Sequence, residues 1–299
     1  MDLRRLEHFL AVADHQGFTA AARAVSVSQP ALSLAVKELE TELGTVLFHR
    51  LGRRVVVTPA GAALIGPARQ ALRDVETGRA AVAAVTGLEA GSLAIASLPT
   101  LAADPLAGIV GRFRRDHPEV TVDLAAPEDS AGVVAMVRDG RRELGLTDSD
   151  RLPEGLVAHP LGEQALVLVL PPGMAPTWLQ TPGRRKTRVD LSTLTDLPFV
   201  AAPPGTSTRR LLDEGLGGGS GPGPRVAVVT AQRDAMLPLV LAGAGAALVP
   251  EATAGVAELH GATVVHPDPP VTRSIVLIHL AGQLAPAAAR FVELATDSD

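Results

Sequence analysis

Cysteine and tyrosine are absent from this 299-residue chain, which has one tryptophan and six phenylalanines. Without cysteine there is no disulfide, thiolate metal site or thiol switch, so any sensing is non-covalent or uses other chemistry. With aromatics at 2%, a pocket built on ring stacking is not expected. No run of about eighteen apolar residues occurs, and Asp2, Glu7 and Asp14 interrupt the N-terminal apolar residues. Neither a signal peptide nor a membrane helix is expected, and the reading is a cytoplasmic protein without membrane contact. The eight histidines are scattered, with no HExxH and no CxxC. His8 and His15 read as surface or capping residues rather than ligands. Ser220 lies among glycines, but Pro222 stands where a nucleophile elbow needs glycine, and no lysine follows to make a phosphate loop. No cofactor, metal or enzymatic activity is expected.

What is present begins with the stretch from Phe18 to Gly61. Thr19 is suited to cap a short alanine-rich helix reaching about Val25, and Ser26-Val27-Ser28 breaks it, because short hydroxyl side chains compete for backbone hydrogen bonds. Ser28 then stands as a fresh N-cap with Gln29 and Pro30 inside the first turn. Leu32, Val36, Leu39 and Leu43 recur at helical spacing and should face a small core. Pro30, Ser33, Leu34 and Lys37 fall on the opposite face, near the end of a recognition helix that meets base edges. From Leu47 to Val57, apolar residues flank Gly52-Arg53-Arg54, which suits a two-stranded wing whose arginines, with Arg50, touch phosphate or enter a minor groove. Thr58-Pro59 opens another helix. Ahead of these, Leu3, Leu6, Phe9, Leu10 and Ala13 mark a first helix beneath the other two.

The helix from Thr58 to about Thr86 carries Leu64, Ala68, Ala71, Val75, Gly78, Val82 and Val85 at alternating spacings of four and three, a coiled-coil seam that implies pairing with a second copy; packing on its own domain is the alternative. Gly66-Pro67 should bend it. After a short hinge from Gly87 to Ser92, strands alternate with helices: Leu93–Ser97, Asp104–Asp116, Val120–Ala125, Ser130–Asp139, Glu143–Thr147 and Gln164–Leu170. Such alternation predicts a parallel sheet covered on both faces. Residues 175–188, with the tryptophan and four basic residues, read as an inserted loop, with a basic contact to DNA or a partner subunit as the alternative. Phe199–Ala201, Thr206–Leu216, Arg225–Val229, Ala231–Leu241, Ala246–Val249, Ser274–Leu280 and Pro286–Ala295 continue the pattern beyond and around the flexible GGGSGPGP of Gly217–Pro224.

The run SQPALSLAVKELETELGTVLFHR followed by VTPAG resembles the winged helix-turn-helix of LysR-type transcriptional regulators, over about sixty residues without a gap. Leu39-Glu40, Leu43-Gly44, Leu47-Phe48, Thr58 and Gly61 all keep register, and VLAGAGAALVPE resembles a segment of the effector domains of that family. The resemblance implies an α/β protein with an N-terminal all-α winged helix-turn-helix, a long linker helix, and a two-lobed, periplasmic-binding-protein-like (Rossmann-like) effector domain. Its divisions would be residues 1–58, 59–88 and 89–299, with lobe I at 89–162 and 267–299 and lobe II at 163–266. It further implies a DNA-binding regulator, dimeric or tetrameric, which meets double-stranded promoter DNA, a small-molecule effector and, by extension, RNA polymerase. Peroxide sensing through cysteine, a mechanism within the family, is excluded here. The alternatives are a solute-binding or ligand-sensing protein without a DNA role, which the two-lobed half would suit, and an enzyme using the cleft.

The DNA-facing residues so expected are Ser28, Gln29, Pro30, Ser33, Leu34, Lys37, Arg50, Arg53 and Arg54. Strand ends and helix starts around a cleft between lobes favour a polar or anionic ligand, and by position the candidates are Ser97, Pro99, Thr100, Asp148, Pro204, Gly205, Thr206, Ser207 and Thr230. Plain helix capping explains Thr206 and Ser207 as well as ligand binding does. Asp148 reads as a structural cap or pair, and Arg209 and Arg210 as a solvated helix face rather than a carboxylate clamp. A small carboxylate-bearing metabolite is the expected effector. The net charge is −5; residues 1–79 hold ten Lys/Arg against eight Asp/Glu, so the DNA-facing end is only mildly basic and should rely on a symmetric oligomer. Leu34 stands where the family often has arginine, offering a thymine methyl contact in place of a phosphate or guanine contact. Leu34→Arg should therefore tighten DNA binding and steepen its salt dependence by about 0.9 log units per log salt for each added contact; a salt titration of the mobility shift that is unchanged by the substitution would refute this reading.

Overall fold

Three short helices and a hairpin form the N-terminal head of a computed structural model that describes residues 1–51, 54–85, 91–149, 152–176, 188–217 and 224–297. Helix α1 (Leu3–His15) starts at Asp2, whose carboxylate accepts from the Arg4 amide at 3.2 Å, and buries Leu6, Phe9, Leu10 and Val12. His8 is buried as well, contrary to its reading as a surface residue, because α1 is packed by α2, α3 and α4 at once; burial, then Arg4, holds its imidazole below the ordinary range. Helix α2 (Phe18–Ala24) is entered from Gly17 without a side-chain cap, so Thr19 lies inside the first turn rather than capping it. Helix α3 (Gln29–Leu43) starts as expected, with Ser28 Oγ accepting from the Ala31 amide at 3.3 Å. Leu32, Val36 and Leu39 are buried, whereas Leu43 is 41% exposed, since the helix stops there at left-handed Gly44 and its last turn overhangs the core.

The wing is tied to α3 by Glu40, whose carboxylate accepts from the amides of Leu47 (2.8 Å) and Phe48 (3.3 Å). Strands β1 (Phe48–Leu51) and β2 (Arg54–Val57) pair antiparallel, and the Phe48 ring packs tilted against Phe9 and edge-on to Phe18. Thr58 Oγ1 donates to Val46 O (2.8 Å) and accepts from the Gly61 amide (3.0 Å), capping helix α4 (Pro59–Val85). Pro67 lies within this continuous helix. Along the proposed seam, Leu64, Ala68 and Ala71 pack on the core of their own head, while Gly78 and Val82 are exposed. The first half of the stripe therefore packs on its own domain, the alternative reading, while Gly78 and Val82 lie at the surface.

Strand β3 (Gly91–Ser97) begins two residues before the expected start; of the hinge, residues 87–90 lie outside the described residues. It leads into α5 (Pro99–Leu101), a widened turn at Ala102–Leu106 and α6 (Ala107–Asp116), so helical structure starts well before Asp104. Then follow β4 (Val120–Ala125), α7 (Ser130–Arg138), β5 (Leu144–Thr147) and β6 (Leu156–Leu170), the last fifteen residues long and begun eight residues earlier than its apolar run suggested. The 175–188 insertion falls largely on residues outside those described, as does most of the glycine-rich connector. The remaining elements are β7 (Arg188–Val189), β8 (Pro198–Ala201), α8 (Ser207–Gly215), β9 (Arg225–Val229), α9 (Arg233–Leu241), β10 (Ala247–Pro250), α10 (Ala254–Leu259), β11 (Thr263–Pro267), β12 (Val271–Leu280) and α11 (Pro286–Thr296).

The main sheet runs β4-β3-β5-β12-β6-β11-β7, with β10 also on β6. It is mixed rather than parallel: β3 pairs parallel with β4 and β5, but β12 meets β5 and β6 antiparallel, as do β10 and β11 with β6. The reason is that β6 and β12 run past each other through the whole sheet and carry the chain out of one lobe and back. A register shift at Ile275/Val276 marks the middle of their ladder. On one side lies a core of Leu93, Ile95, Phe113, Leu144, Ile278 and Phe291; on the other, Leu166, Leu168, Phe199, Leu212 and Leu248 form one core and Val167, Val169, Val240 and Val264 another. Successive residues of β6 thus feed opposite faces, as a strand buried on both sides must.

The linker helix docks on the first lobe. Arg69 Nη1 donates to Asp139 O (3.0 Å) and Arg73 Nη1 to Gly140 O (2.6 Å), at the end of α7. Glu143, next along the chain, accepts from the Ala94 amide at 3.0 Å, and burial pushes its carboxyl up against the opposing influence of that amide and Arg73. Two outcomes are expected. A Cβ on Gly61 would lie 2.4 Å from Leu47 O and 2.8 Å from Val57, so Gly61→Ala should destabilise the head by about 1–3 kcal/mol; a thermal midpoint equal to wild type would contradict this packing. Because the folded carboxyl of Glu143 titrates above its ordinary value of 4.5, its ionisation costs stability as pH rises from there through the raised value. Glu143→Gln should therefore flatten the loss of stability between acid and neutral pH, and parallel pH profiles for the two proteins would disprove it.

Candidate functional sites: a DNA-facing helix and an interlobe cleft

The head presents one compact polar face. Ser28, Gln29, Pro30, Leu34 and Lys37 are exposed at the start and middle of α3, with Ser33 half-buried beside them and Leu34 58% exposed. An exposed leucine at the centre of a polar helix face has no core to join, which suits apolar contact with another surface. Arg50 and Arg54 stand on β1 and β2 of the wing, and Arg53 lies outside the described residues. The cap at Ser28 leaves the helix start facing outward, where backbone amides attract phosphate.

The second site lies where the two halves of the effector region meet. Arg273 and Gln164 are cross-strand partners on β12 and β6, and both are buried, Arg273 to 5% exposure. Gln164 Oε1 accepts from Arg273 Nε at 2.9 Å and also from Nη2, which further donates to Thr100 Oγ1. The Gln164 amide nitrogen in turn donates to Asp104 O and reaches Thr100 O at 3.5 Å, so one buried cluster ties β6, β12 and the turn after β3 together. Burial lowers the Arg273 guanidinium to about 10; Asp148 opposes this and Arg233 adds to it. It still carries its proton at neutral pH. Arg233, at the start of α9, is likewise lowered by burial, with Glu128 opposing.

Around these groups is a cavity of about 10 Å³, room for about one water, lined by Leu98, Pro99, Thr100, Glu128, Ser207, Thr208, Arg233 and Arg273. Asp148 flanks it: its Oδ1 accepts from Ser130 at the start of α7, and its buried Oδ2 has no partner. Ser207 Oγ, at the first residue of α8, is also buried without a partner. Thr206 makes no side-chain cap there, so the amides of the α8 start are not closed off by a hydroxyl.

Of the residues expected from sequence, Pro99, Thr100 and Ser207 line the cavity and Asp148 borders it. Ser97 is buried with its hydroxyl committed to Leu98 O (3.0 Å), and Thr206 donates to Pro203 O (2.8 Å), which pins the loop. Gly205, at φ +89, shapes that loop, and Thr230 caps the turn to Gln232; neither lines the cavity, nor does Pro204. Arg209 and Arg210 pair with Asp213 and Glu214 on their own helix, as their reading as a solvated face requires. Four residues escaped the sequence reading: Gln164, Arg233, Arg273 and Glu128. The signal for Arg273 was an arginine at an inward position of the apolar run VTRSIVLIHL, hidden because the strand was taken to start at Ser274 rather than Val271.

Among the described residues no helix is long and apolar enough to cross a membrane. The sequence profile of the LysR substrate binding domain matches residues 86–299, and that of the bacterial regulatory helix-turn-helix proteins of the lysR family matches residues 3–62. The chain is 32% identical over 251 residues to the HTH-type transcriptional activator IlvY of Salmonella typhimurium, covering 84% of this chain and 83% of that protein. Its fold matches full-length CbnR in complex with its target DNA, at TM-score 0.63 and 25% identity over 99% of each chain. It also matches a full-length OxyR variant from Pseudomonas aeruginosa at TM-score 0.76 and 21% identity, over 99% of this chain and 94% of that one. With a head that exposes a capped helix and wing, a linker helix and a two-lobed α/β region around a charged cleft, the chain belongs to the LysR family of DNA-binding transcriptional regulators with an effector-binding domain.

Proposed function

We propose that this regulator reads promoter DNA through Ser28, Gln29, Pro30, Ser33, Leu34 and Lys37 of α3 and Arg50, Arg53 and Arg54 of the wing, and answers to a small molecule held in the interlobe cavity. The observation that carries the second half is the buried guanidinium of Arg273, with the half-buried Arg233 near it, beside a cavity bordered by Asp148 Oδ2 and Ser207 Oγ, which lack partners. Charged groups and polar atoms left unpaired inside a protein are costly, and a ligand that pairs them recovers that cost. Pro99, Thr100, Ser207, Thr208, Arg233, Arg273 and Asp148 form the effector set. Ser97, Gly205, Thr206 and Thr230 act around it, by shaping the loops.

Residues 1–58 would serve as the DNA-binding head, 59–88 as linker and dimer helix, and 89–299 as effector domain. Binding DNA as a symmetric oligomer in the cytoplasm, without catalysis, suits the mild charge of the head and the exposure of Gly78 and Val82 on α4. Coupling between the sites would run along α7 and β5, since α7 begins at Ser130 on Asp148 and ends at the carbonyls that hold Arg69 and Arg73 of the linker helix. A tilt of one end of so short a rigid helix moves the other.

A mobility shift on the DNA upstream of the protein's own gene tests the DNA half. Wild type should bind that fragment in preference to scrambled DNA, and replacing Arg50, Arg53 and Arg54 by alanine should reduce the salt slope by about 2 to 3 per head. Equal affinity for both fragments, or an unaltered slope, would reject the assignment. For the cleft, Arg273→Ala leaves the buried Gln164 Oε1 and Thr100 Oγ1 without their donor, and should lower the stability of the protein by about 1–3 kcal/mol in denaturant unfolding; a loss under about 0.5 kcal/mol, as for an exposed residue, would contradict its structural placement.

A further inference from the structure

The outward stripe of α3 ends in a carboxylate. Ser33 and Lys37 are followed on the same face, at spacings of four and three, by Glu40, about 10 Å along the helix from Ser33. A negative charge at that place repels phosphate, and a carboxylate has no donor to offer a DNA backbone. Its oxygen is used inside the protein instead. Glu40 Oε1 alone accepts from both the Leu47 amide, at 2.8 Å, and the Phe48 amide, at 3.3 Å. Leu47 is 1% exposed and Phe48 7%, so these amides depend on that one acceptor.

The same stretch is gripped from the other side by Thr58, the cap of α4, which donates its amide to Leu47 O (2.9 Å) and its hydroxyl to Val46 O (2.8 Å). Residues 46–48 are thus the root of the wing, fixed to α3 by one side chain and to α4 by the backbone and hydroxyl of another residue. The Phe48 ring, against Phe9 and Phe18, decides where this root lies. Apolar packing is non-directional, however, whereas hydrogen bonds fix how a backbone is turned. The turn is passed on at once: Arg50 lies two residues along β1 from Phe48 and pairs with Val55, next to Arg54.

Building on the DNA-facing assignment above, we propose that Glu40 is a positioning residue for DNA recognition: its one accepting oxygen orients the wing on α3 so that Arg50, Arg53 and Arg54 meet phosphate while Ser33, Leu34 and Lys37 enter the groove. Because a single oxygen accepts both amides, Glu40→Gln keeps the clasp and loses only the charge. Glu40→Ala loses both, and Glu40→Asp keeps the charge but falls one methylene short. A role for Glu40 as a mere negative charge near DNA gives a different order, with Glu40→Ala and Glu40→Gln tightening binding alike and Glu40→Asp leaving it unchanged.

Salt-titrated mobility shifts separate the two, using the purified full-length variants on the fragment upstream of the protein's own gene, at a temperature where circular dichroism shows each folded. Glu40→Ala and Glu40→Asp should bind about tenfold or more weakly and lose most of the slope of about 2 to 3 per head that the wing arginines supply, while Glu40→Gln keeps the wild-type slope. In the protein that already carries Arg50→Ala, Arg53→Ala and Arg54→Ala, adding Glu40→Ala should change the slope no further, since the clasp acts through those side chains. Wild-type slopes for Glu40→Ala and Glu40→Asp would overturn the proposal. So would a Glu40→Gln protein as impaired as Glu40→Ala, or an equal effect of Glu40→Ala with and without the wing arginines. The DNA-facing reading fails separately, by a slope that the three arginine substitutions leave unaltered, and the role of Glu40 falls with it.

Discussion

A positive charge buried at the crossing of two strands is the constraint around which this molecule is arranged. Strands β6 and β12 carry the chain between lobes, and Arg273 sits opposite Gln164 in their ladder with its head group removed from water. Such a cation is tolerated only where acceptors surround it. Gln164 and Thr100 supply them directly, and Asp148 compensates through its field. The turn after β3, the end of β5 and the crossing strands are therefore fixed relative to one another by one polar cluster. Because the cluster borders a cavity, the same groups that hold the lobes together can be re-paired by a ligand. Under the proposed function, structural cohesion and recognition would draw on the same atoms, which would make the lobe arrangement sensitive to what occupies the cleft.

That sensitivity has a short path to the DNA-binding head. Asp148 lies just after β5 and bonds to Ser130 at the start of α7. The far ends of these two elements, Asp139, Gly140 and Glu143, are where α4 docks through Arg69 and Arg73. Gly140 turns the chain at this junction with φ +68, a left-handed backbone that a side chain would strain. Helix α4 is packed at its other end into the core of the head through Leu64 and Ala68. Packed elements of this kind move as units rather than bending continuously.

The head was legible from sequence almost residue by residue, because its signals are local. Ser28 before Gln29-Pro30, the apolar stripe Leu32, Val36 and Leu39, and Thr58 before Pro59 each act within one helical turn of themselves. The exceptions were governed by tertiary neighbours: Leu43 fell beyond the core, and His8 was enclosed by three helices packed on α1. In the effector region the order of strands and helices was legible, but their pairing was not, since antiparallel crossing of β6 and β12 joins residues more than a hundred positions apart. The cleft followed the same division. Thr100, Ser207 and Asp148 were reachable because they sit at strand ends or helix starts, whereas Arg273 and Gln164 lie inside strands, where a polar residue announces itself only once the strand is known to be buried on both faces.

The claim on which the account rests is that the Arg273 cluster sets how the head is presented to DNA, although it touches none. The most direct measurement is a footprint of the Arg273→Gln protein on its operator beside that of wild type, at a temperature where circular dichroism shows both folded. The account predicts an altered footprint or a changed operator affinity, with the α3 contacts themselves retained. An identical footprint at identical affinity would show that the cleft and the head are uncoupled.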